Sequence, residues 1–167
     1  LQKLDASGQP AWGTGVEIVA PSGAFVFPAD VHGSGDDVIV SFVIQSRSTG
    51  NQLWAQKYNA AGQPLWSSSY VKLWEDTHTG NIPQGYFPEF VDDGAGGAVF
   101  CWQYGFGASG SDIRAQHVLA DGSERYAHNG VALSTDPSQY RKQVDCSYDS
   151  KTGDIYALWG EMGTISA

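Results

Sequence analysis

A short sequence motif recurs along the chain, and this repeat restricts the possible folds more than any other feature. Residues 1–12 (LQKLDASGQPAW) match residues 55–66 (AQKYNAAGQPLW), and residues 115–126 (AQHVLADGSERY) form a weaker third copy. The glutamine, the glycine and the final aromatic residue keep the same spacing in every copy. We therefore expect structurally equivalent units that bury their apolar faces against one another.

A second motif repeats in register with the first. Apolar and β-branched residues dominate residues 37–42 (DVIVSF), 97–102 (GAVFCW) and 154–159 (DIYALW). A turn rich in glycine and aspartate precedes each copy, and these residue types suit the backbone angles of tight hairpins. Short apolar runs between such turns predict β-strands, and the two motifs together define a period of roughly 54 to 60 residues.

Each period predicts four strands, which in the middle copy cover residues 88–92, 97–103, 113–119 and 131–133. No segment keeps the helical period of ~3.6 residues over three turns. Four antiparallel strands in a repeat of this length predict an all-β fold, with each repeat forming one blade of a β-propeller. The predicted units are the third and fourth strands of one blade (1–24), two complete blades (25–80 and 81–136) and the first and second strands of a further blade (137–167).

About three blades are too few to close a ring, because propellers have about four to eight. Residues 164–167 align with the residues just before Gln56, so the repeat continues almost in register from Ala167 to Leu1. The chain also begins within a strand-like pattern, which suggests a processed or excised piece. Two alternatives complete the ring: the rest of a larger parent chain, or a second copy of this chain.

The middle copy carries a longer pattern, in which a D-x-G-x-G-G turn is followed by tryptophan, an A-Q pair and a D-G turn. Its matching residues are Pro88, Val91, Asp92, Gly94, Gly96, Gly97, Trp102, Asp112, Ile113, Ala115, Gln116, Asp121, Gly122, Gly130, Val131 and Ser134. This pattern resembles the β-propeller repeats of large secreted or surface-exposed bacterial proteins. The resemblance implies a secreted or cell-surface location and a parent protein with adhesion or carbohydrate-binding modules. Phe42 and Val144 depart from it, standing where tryptophan and proline are usual.

The charge of the chain excludes one class of partner. The formal net charge is -9, and phosphate binding requires clustered lysine and arginine, so we expect no nucleic-acid partner. No apolar run reaches the roughly 18 residues of a membrane span, so we expect no membrane insertion. An acidic surface of this kind fits a secreted protein.

The search for catalytic chemistry finds no strong motif. No G-x-S-x-G occurs, no histidine pair has metal-ligand spacing, and the G-x-G-x-x-G at 105–110 precedes a strand-like segment. We predict no cofactor, no metal site and no catalytic residue, and we interpret the acidic turns as hairpins, with calcium binding left open. The enzyme alternative is a glycan-active hydrolase that uses Asp30, Glu89 and Asp145, which recur near the first strand of each blade.

Aromatic residues fall into two groups. Those that recur at fixed repeat positions predict packing between blades: Trp12, Trp66, Tyr126, Phe42, Trp102 and Trp159. Those that do not recur are our candidate ligand-binding residues: Trp74, Tyr86, Phe87, Tyr104 and Phe106. They belong to the loop between the second and third strands and to the loop entering the blade, which share one face of a propeller. We predict that this face binds a polysaccharide or a partner protein.

Three further residues carry expectations from the repeat. His117 stands where Lys3 and Lys57 stand in the other copies, which predicts an outward-facing strand residue. Cys101 and Cys146 occupy positions that are apolar in the other copies, which favours two buried thiols over a disulfide between neighbouring blades. The overall prediction is a non-catalytic binding or structural module.

Overall fold

The computed structural model describes residues 1–66, 70–75, 81–83, 85–105, 110–134, 136 and 139–162. Strands make up the regular structure of these residues, and all strand neighbours are antiparallel. No helix long and apolar enough to cross a membrane is present in this part of the chain. The all-β prediction is therefore confirmed.

The strands form three sheets in chain order. The first sheet has the order β1 (Ala24–Ser34), β2 (Asp37–Ser46), β3 (Gly50–Tyr58) and β4 (Val71–Trp74). The second sheet has the order β5 (Phe90–Asp92), β6 (Ala98–Gly105), β7 (Ser111–Val118) and β8 (Val131–Ala132). The third sheet pairs β9 (Tyr140–Asp149) with β10 (Asp154–Met162). The four strands predicted in the middle copy are confirmed, with shifted ends, while the division of the chain into blades stays a prediction.

The sheets stack face to face, and the second strand of each complete sheet is buried on both faces. In β2, Ile39 and Val43 belong to the core between the first and second sheets, whereas Val40 and Phe42 face residues 1–20. In β6, Phe100 faces the first sheet, and the alternate residues face the third. This explains why the copies of the second motif are apolar at successive positions, as fully buried strands are.

The first strands of the three sheets lie next to one another. β5 contacts β1 on one side and β9 on the other. At the contact with β1, Asp30 accepts a hydrogen bond from the backbone N–H of Phe90 (3.1 Å), and the rings of His32 and Phe90 are 4.7 Å apart. The first strand of the second sheet therefore lies beside the first strands of both other sheets.

Residues 1–23 cover the outer face of the first sheet. They contain an isolated antiparallel bridge between Leu4 and Pro10, and Leu1 exchanges backbone hydrogen bonds with Val16. The apolar side chains of this segment pack against the outward-facing residues of β2. The segment thus covers the face of the first sheet that a neighbouring sheet covers in the second sheet.

The recurring tryptophans join successive units, as their repetition predicts. Trp12 Nε1 donates a hydrogen bond to the carbonyl oxygen of Ala60 (2.8 Å), and Trp66 Nε1 donates to that of Ala120 (3.2 Å). Each indole ring also lies against the glycine of the turn that it reaches. Each tryptophan therefore connects its own unit to the equivalent turn of the next one.

Side chains of the third strands form a second connection between neighbouring sheets. His117 takes part in it, so the expectation that His117 faces outward was wrong. His117 is buried, and its Nε2 lies 2.8 Å from Asp93 Oδ2, with the Tyr148 ring of the third sheet 5.0 Å away. At the equivalent position, Lys57 Nζ is buried and donates to the carbonyl oxygen of Gly96 in the next sheet. Stacking of the next sheet buries this position, which would be exposed in an isolated hairpin.

Candidate functional site

A cleft lies at the edge of the described structure that contains the turn between the second and third strands. Its volume is about 910 Å³, and its walls include the β2–β3 turn at Ser46 and Arg47, the segment 81–83, Gly105 and Tyr140. All three sheets therefore contribute to this edge. The location agrees with the face that the sequence predicts for ligand binding, although most of the lining residues differ from those predicted.

Backbone hydrogen bonds hold one wall of the cleft in place. Asn81 donates its N–H to the carbonyl oxygen of Gly105 (3.0 Å) and accepts the N–H of Gly105 (2.9 Å). The Asn81 side chain in turn accepts a hydrogen bond from the backbone N–H of Asn51, and Asn51 Nδ2 donates to the carbonyl oxygen of Ile82 (2.7 Å). The segment between β4 and β5 is thus fastened to both neighbouring sheets.

Amide side chains dominate the polar lining of the cleft: Gln45, Asn51, Asn81 and Gln103. The Asn51 side chain is hydrogen-bonded to the carbonyl oxygen of Ile82 in the wall of the cleft. Gln103 Oε1 accepts a hydrogen bond from the backbone N–H of Gln143 (3.2 Å). Within the described part of the chain, no hydrogen bond is made by the side chains of Gln45 or Arg47. These two groups are available to a ligand, and an amide both donates and accepts.

Aromatic rings complete the lining. Phe25 has 68% of its surface exposed and borders the cleft. Tyr140 borders it from the third sheet, with Lys142 Nζ 5.1 Å from its ring centroid. Beside the Gln45 amide, the exposed Phe25 ring provides an apolar face next to a group that can donate and accept hydrogen bonds.

The cleft has one charged lining residue among those described, Arg47, and no carboxylate lines it. General acid–base chemistry on a glycosidic bond requires a pair of carboxyl groups on either side of the bond. The described residues at this edge are suited to hydrogen bonding and ring packing.

A smaller pocket of about 160 Å³ adjoins the cleft and contains two of the predicted residues, Tyr86 and Phe87. Phe87 is exposed, and its ring centroid is 6.4 Å from that of Phe27 on β1. The pocket and the cleft share three lining residues: Gln45, Asn51 and Pro83.

Two other predicted residues lie in the core. Trp74 and Tyr104 are buried between the first and second sheets, with ring centroids 4.3 Å apart and the Arg114 guanidinium 5.4 Å from each ring. They pack the sheets together and expose almost no surface to the cleft. Phe106 lies outside the described residues.

Sequence reasoning missed Phe25, Gln45, Arg47, Asn81 and Tyr140 as lining residues. One signal was available for the amides. Gln45 and Gln103 interrupt apolar runs near the ends of strands that are buried on both faces. A polar residue at the end of such a run indicates a strand that emerges at an edge of the protein.

The recurring carboxylates lie away from the cleft. Asp30 lies just after a β-bulge in β1. Its Oδ2 atom is hydrogen-bonded to Nε2 of His32, at a distance of 2.8 Å. Glu89 and Asp145 are exposed, and neither lines the cleft. Hydrogen bonds from His32 and the Phe90 backbone already occupy Asp30, which makes it a structural contact between β1 and β5.

The acidic turn before β10 uses its side chains for turn hydrogen bonds. Asp149 accepts the backbone N–H of Lys151 (2.9 Å), and Thr152 accepts that of Asp154 (3.3 Å). No group of three or more potential metal ligands occurs among the described residues. These bonds are those of a hairpin turn.

The two cysteines are free thiols in neighbouring sheets. Cys101 on β6 is buried and Cys146 on β9 is half-buried, and both belong to the same apolar cluster. A hydrogen bond with the Cys146 thiol and burial both raise the pKa of Cys101 far above its ordinary value. The thiol of Cys101 therefore stays protonated at neutral pH.

Comparison with known proteins gives one structural similarity. No family model matches the chain, and no curated protein matches its sequence. The structure is similar to the crystal structure of an endo-arabinase from Bacteroides thetaiotaomicron, with a TM-score of 0.48 and 13% sequence identity. The match covers 86% of this chain and 54% of that one, so the chain spans about half the length of the arabinase structure.

Proposed function

We propose that this chain is a segment of a β-propeller and that its cleft binds a polysaccharide without cleaving it. The propeller proposal rests on the sequence repeat, on two four-stranded antiparallel sheets of equivalent connectivity, and on first strands that lie side by side. In a propeller, the first strands line the central channel, and neighbouring blades bury the faces of the strands that follow. The stacking of β2 and β6 between neighbouring units fits this arrangement.

The polysaccharide proposal rests on the lining of the cleft. Sugar hydroxyl groups both donate and accept hydrogen bonds, and the free amide of Gln45 can do the same. The exposed ring of Phe25 provides a flat apolar surface for the C–H face of a sugar ring. The volume of about 910 Å³ lies within the range of about 300–1,000 Å³ that is usual for small-ligand pockets.

A neutral or acidic glycan fits the charges of the site. Arg47 contributes one positive charge, and no carboxylate lines the cleft in the described part of the protein. Acidic sugars would add a charge-assisted hydrogen bond to Arg47, whereas a basic peptide would meet no negative partner. We also propose a secreted or cell-surface location, because a protein would contact extracellular polysaccharides there.

Binding to an array of immobilised polysaccharides tests the proposal, followed by titration of each glycan that is retained. We expect Gln45→Ala and Phe25→Ala to weaken binding by about tenfold or less each, the equivalent of a lost hydrogen bond or ring contact. Gln9→Ala and Leu4→Ala are matched controls, because these side chains are exposed and lie outside the cleft. Absence of binding to any glycan, or equal losses in the control variants, contradicts the proposal.

The hydrolytic alternative is tested on the same glycans by assaying for new reducing ends. Asp30→Asn, Glu89→Gln and Asp145→Asn are the variants that would abolish such an activity. We expect no reducing ends from the unmodified chain, since no carboxylate pair borders the cleft among the residues that the structure describes. Release of reducing ends that these variants prevent would overturn the non-catalytic proposal.

A further inference from the structure

The charge of the cleft differs from that of the chain as a whole. Aspartate and glutamate outnumber lysine and arginine by 18 to 9, which gives the formal net charge of -9. Among the described residues, however, the lining of the cleft includes one arginine, Arg47, and no carboxylate. A negatively charged ligand is therefore repelled by much of the surface and meets a positive charge at this cleft.

The guanidinium group of Arg47 is available to a ligand. Its side chain is exposed, and it makes no hydrogen bond or ion pair with the part of the chain that the structure describes. Two other arginines are used within the fold. Arg114 donates hydrogen bonds to two backbone carbonyl groups, and Arg141 is buried and pairs with Glu161. The N–H donors of Arg47, in contrast, can all be directed at a bound molecule.

Hydrogen bonds fix the backbone that carries Arg47. In the turn between β2 and β3, Ser46 Oγ accepts the backbone N–H of Ser48 (3.2 Å) and lies 3.0 Å from the Ser48 hydroxyl oxygen. Gly50, the first residue of β3, has a φ of +68°, a left-handed conformation that suits glycine. The Arg47 side chain thus projects from a turn of defined shape, so a ligand that binds it has little backbone freedom to remove.

A second cation lies beside the cleft on the third sheet. Lys142 is exposed on β9, and its Nζ lies 5.1 Å from the ring centroid of Tyr140, which lines the cleft. Glu161, on the neighbouring strand β10, pairs with the buried Arg141 (2.9 Å). No carboxylate among the described residues forms an ion pair with Lys142. Cations of the first and third sheets therefore add to the same positive potential at the cleft.

Three side chains of the first sheet are placed to contact one sugar ring. Phe25 on β1 and Gln45 on β2 are directly opposite each other in the antiparallel pair, and both line the cleft. Directly opposite side chains point to the same face of a sheet, with Cβ atoms about 4.5–5.5 Å apart. Arg47 follows two residues after Gln45 and lines the same cleft. An apolar ring face, a neutral amide and a cation are therefore adjacent.

A uronic acid has the chemical groups that match these three side chains. Its planar carboxylate can accept two parallel hydrogen bonds from a guanidinium group such as that of Arg47. Its hydroxyl groups donate and accept hydrogen bonds, as the Gln45 amide does, and the C–H face of its ring can pack on Phe25. A nucleic acid carries a phosphate on every unit and requires clustered lysine and arginine, so the single lining arginine favours the acidic sugar.

We propose that the cleft binds a polysaccharide that contains uronic acid residues, with the carboxylate of one such residue held by Arg47. This proposal rests on the proposed function and adds to it the chemical class of the glycan. Gln45 and Phe25 contact the same sugar, and Lys142 attracts further carboxylates along the polysaccharide. The acidic surface elsewhere on the chain disfavours attachment of the same polysaccharide outside the cleft.

Titration calorimetry with one oligosaccharide in two charge states tests the role of the carboxylate. The probes are trigalacturonate and its fully methyl-esterified form, which have the same sugar rings and differ in the charge of their carboxyl groups. We expect the ester to bind more weakly by about tenfold or more, because it loses the charge-assisted hydrogen bonds. Added sodium chloride should weaken binding of trigalacturonate and leave binding of the ester nearly unchanged.

Variants of the two cations test the location of the site. Arg47→Gln should weaken binding of trigalacturonate by about tenfold or more and change binding of the ester by about twofold or less. Lys142→Gln should weaken trigalacturonate by only about twofold, since it acts without direct pairing. Arg125→Gln is the matched control, because it removes the same charge from an exposed arginine that does not line the cleft.

The outcomes separate this proposal from the proposed function. Equal binding of trigalacturonate and its ester, or equal losses in Arg47→Gln and Arg125→Gln, overturns the uronic acid proposal. Retention of neutral polysaccharides alone on the array would also overturn it, while binding of a glycan at the cleft would stand. Absence of binding to every glycan would overturn the proposed function itself.

Discussion

Replacing Gly122 by alanine is expected to destabilise the chain more than the same replacement at Gly62 or Gly8. The three glycines occupy equivalent turns and have similar φ angles of +86°, +78° and +81°. They differ in what an added methyl group would meet. At Gly122 it would lie 2.7 Å from Trp66 Cβ, at Gly62 it would lie 3.0 Å from Val16 Cγ2, and at Gly8 it would meet nothing within 4 Å.

The backbone contribution is common to the three replacements. A left-handed backbone costs alanine about 1–2 kcal/mol, and the reduced freedom of the unfolded chain offsets about 0.4–1 kcal/mol of this at each site. The clash at Gly122 adds about 1–3 kcal/mol, the usual cost of overpacking a well-packed site. At Gly62 the added cost is smaller, because Val16 Cγ2 is the end of a side chain that can move. The expected order of destabilisation is Gly122, then Gly62, then Gly8.

Equilibrium unfolding in guanidinium chloride, followed by circular dichroism, measures these differences. All three variants are compared with the unmodified chain at the same protein concentration. The dependence of the free energy of unfolding on denaturant should be the same for each variant, since the area exposed does not change. Equal losses at Gly8 and Gly122 would refute the argument that the tryptophan contact sets the difference.

Two further predictions concern acid stability and oxidation. Burial raises the pKa of Asp93, but hydrogen bonds from His117 and from the backbone N–H groups of Ala95 and Gly97 outweigh it and hold this pKa below the ordinary 3.8. The stability that Asp93 contributes is therefore complete above about pH 4 and is lost as the pH falls through its folded-state pKa. Thermal unfolding at decreasing pH should show a shallower loss in Asp93→Asn than in the unmodified chain, and parallel curves would contradict this. Mild oxidation should leave Cys101 unmodified in the folded chain, since its hydrogen bond with Cys146 and its burial keep the thiol protonated and the thiolate is the reactive form; mass spectrometry that finds Cys101 oxidised would contradict this.

The strands of the middle copy could be predicted because two signals agree there. Residues 97–102 form an apolar run, and the flanking turns contain glycine and aspartate at the positions that hairpins use. Residues 1–23 are harder, because their motif matches β3 but the strand that would pair with it is absent from the described structure. Strand formation depends on a neighbour, and the sequence of one segment does not show whether that neighbour is present.

The sequence indicates which loops lie near the cleft, but it does not indicate most of the residues that line it. The repeat shows which loops share an edge of the protein, and the cleft lies at that edge. The repeat does not show which aromatic residues on these loops are buried. Trp74 and Tyr104 do not recur, yet they pack against each other because β4 and β6 belong to facing sheets. Their burial depends on how two sheets are stacked, a long-range property that no local pattern records.

His117 illustrates the same limit from the opposite direction. Its repeat position is filled by lysine in the other copies, which suggests exposure, but Lys57 is itself buried against the next sheet. Charged residues can be buried when a partner is close, here Asp37 for Lys57 and Asp93 for His117. The residue type at this position therefore matches the partner of the side chain. Whether the side chain is exposed depends on how the sheets are stacked.

The contact between each tryptophan and the following turn has a direction. Trp12 and Trp66 both reach forward along the chain to the equivalent turn of the next unit, and the turn that each one reaches is part of the motif that carries the next aromatic residue. Both junctions thus pair an indole N–H with the carbonyl group of an equivalent turn. In each case the ring also fills the space beside the glycine of that turn. A substitution that enlarges either glycine would therefore act on the contact between two units, and not only on the turn in which it lies.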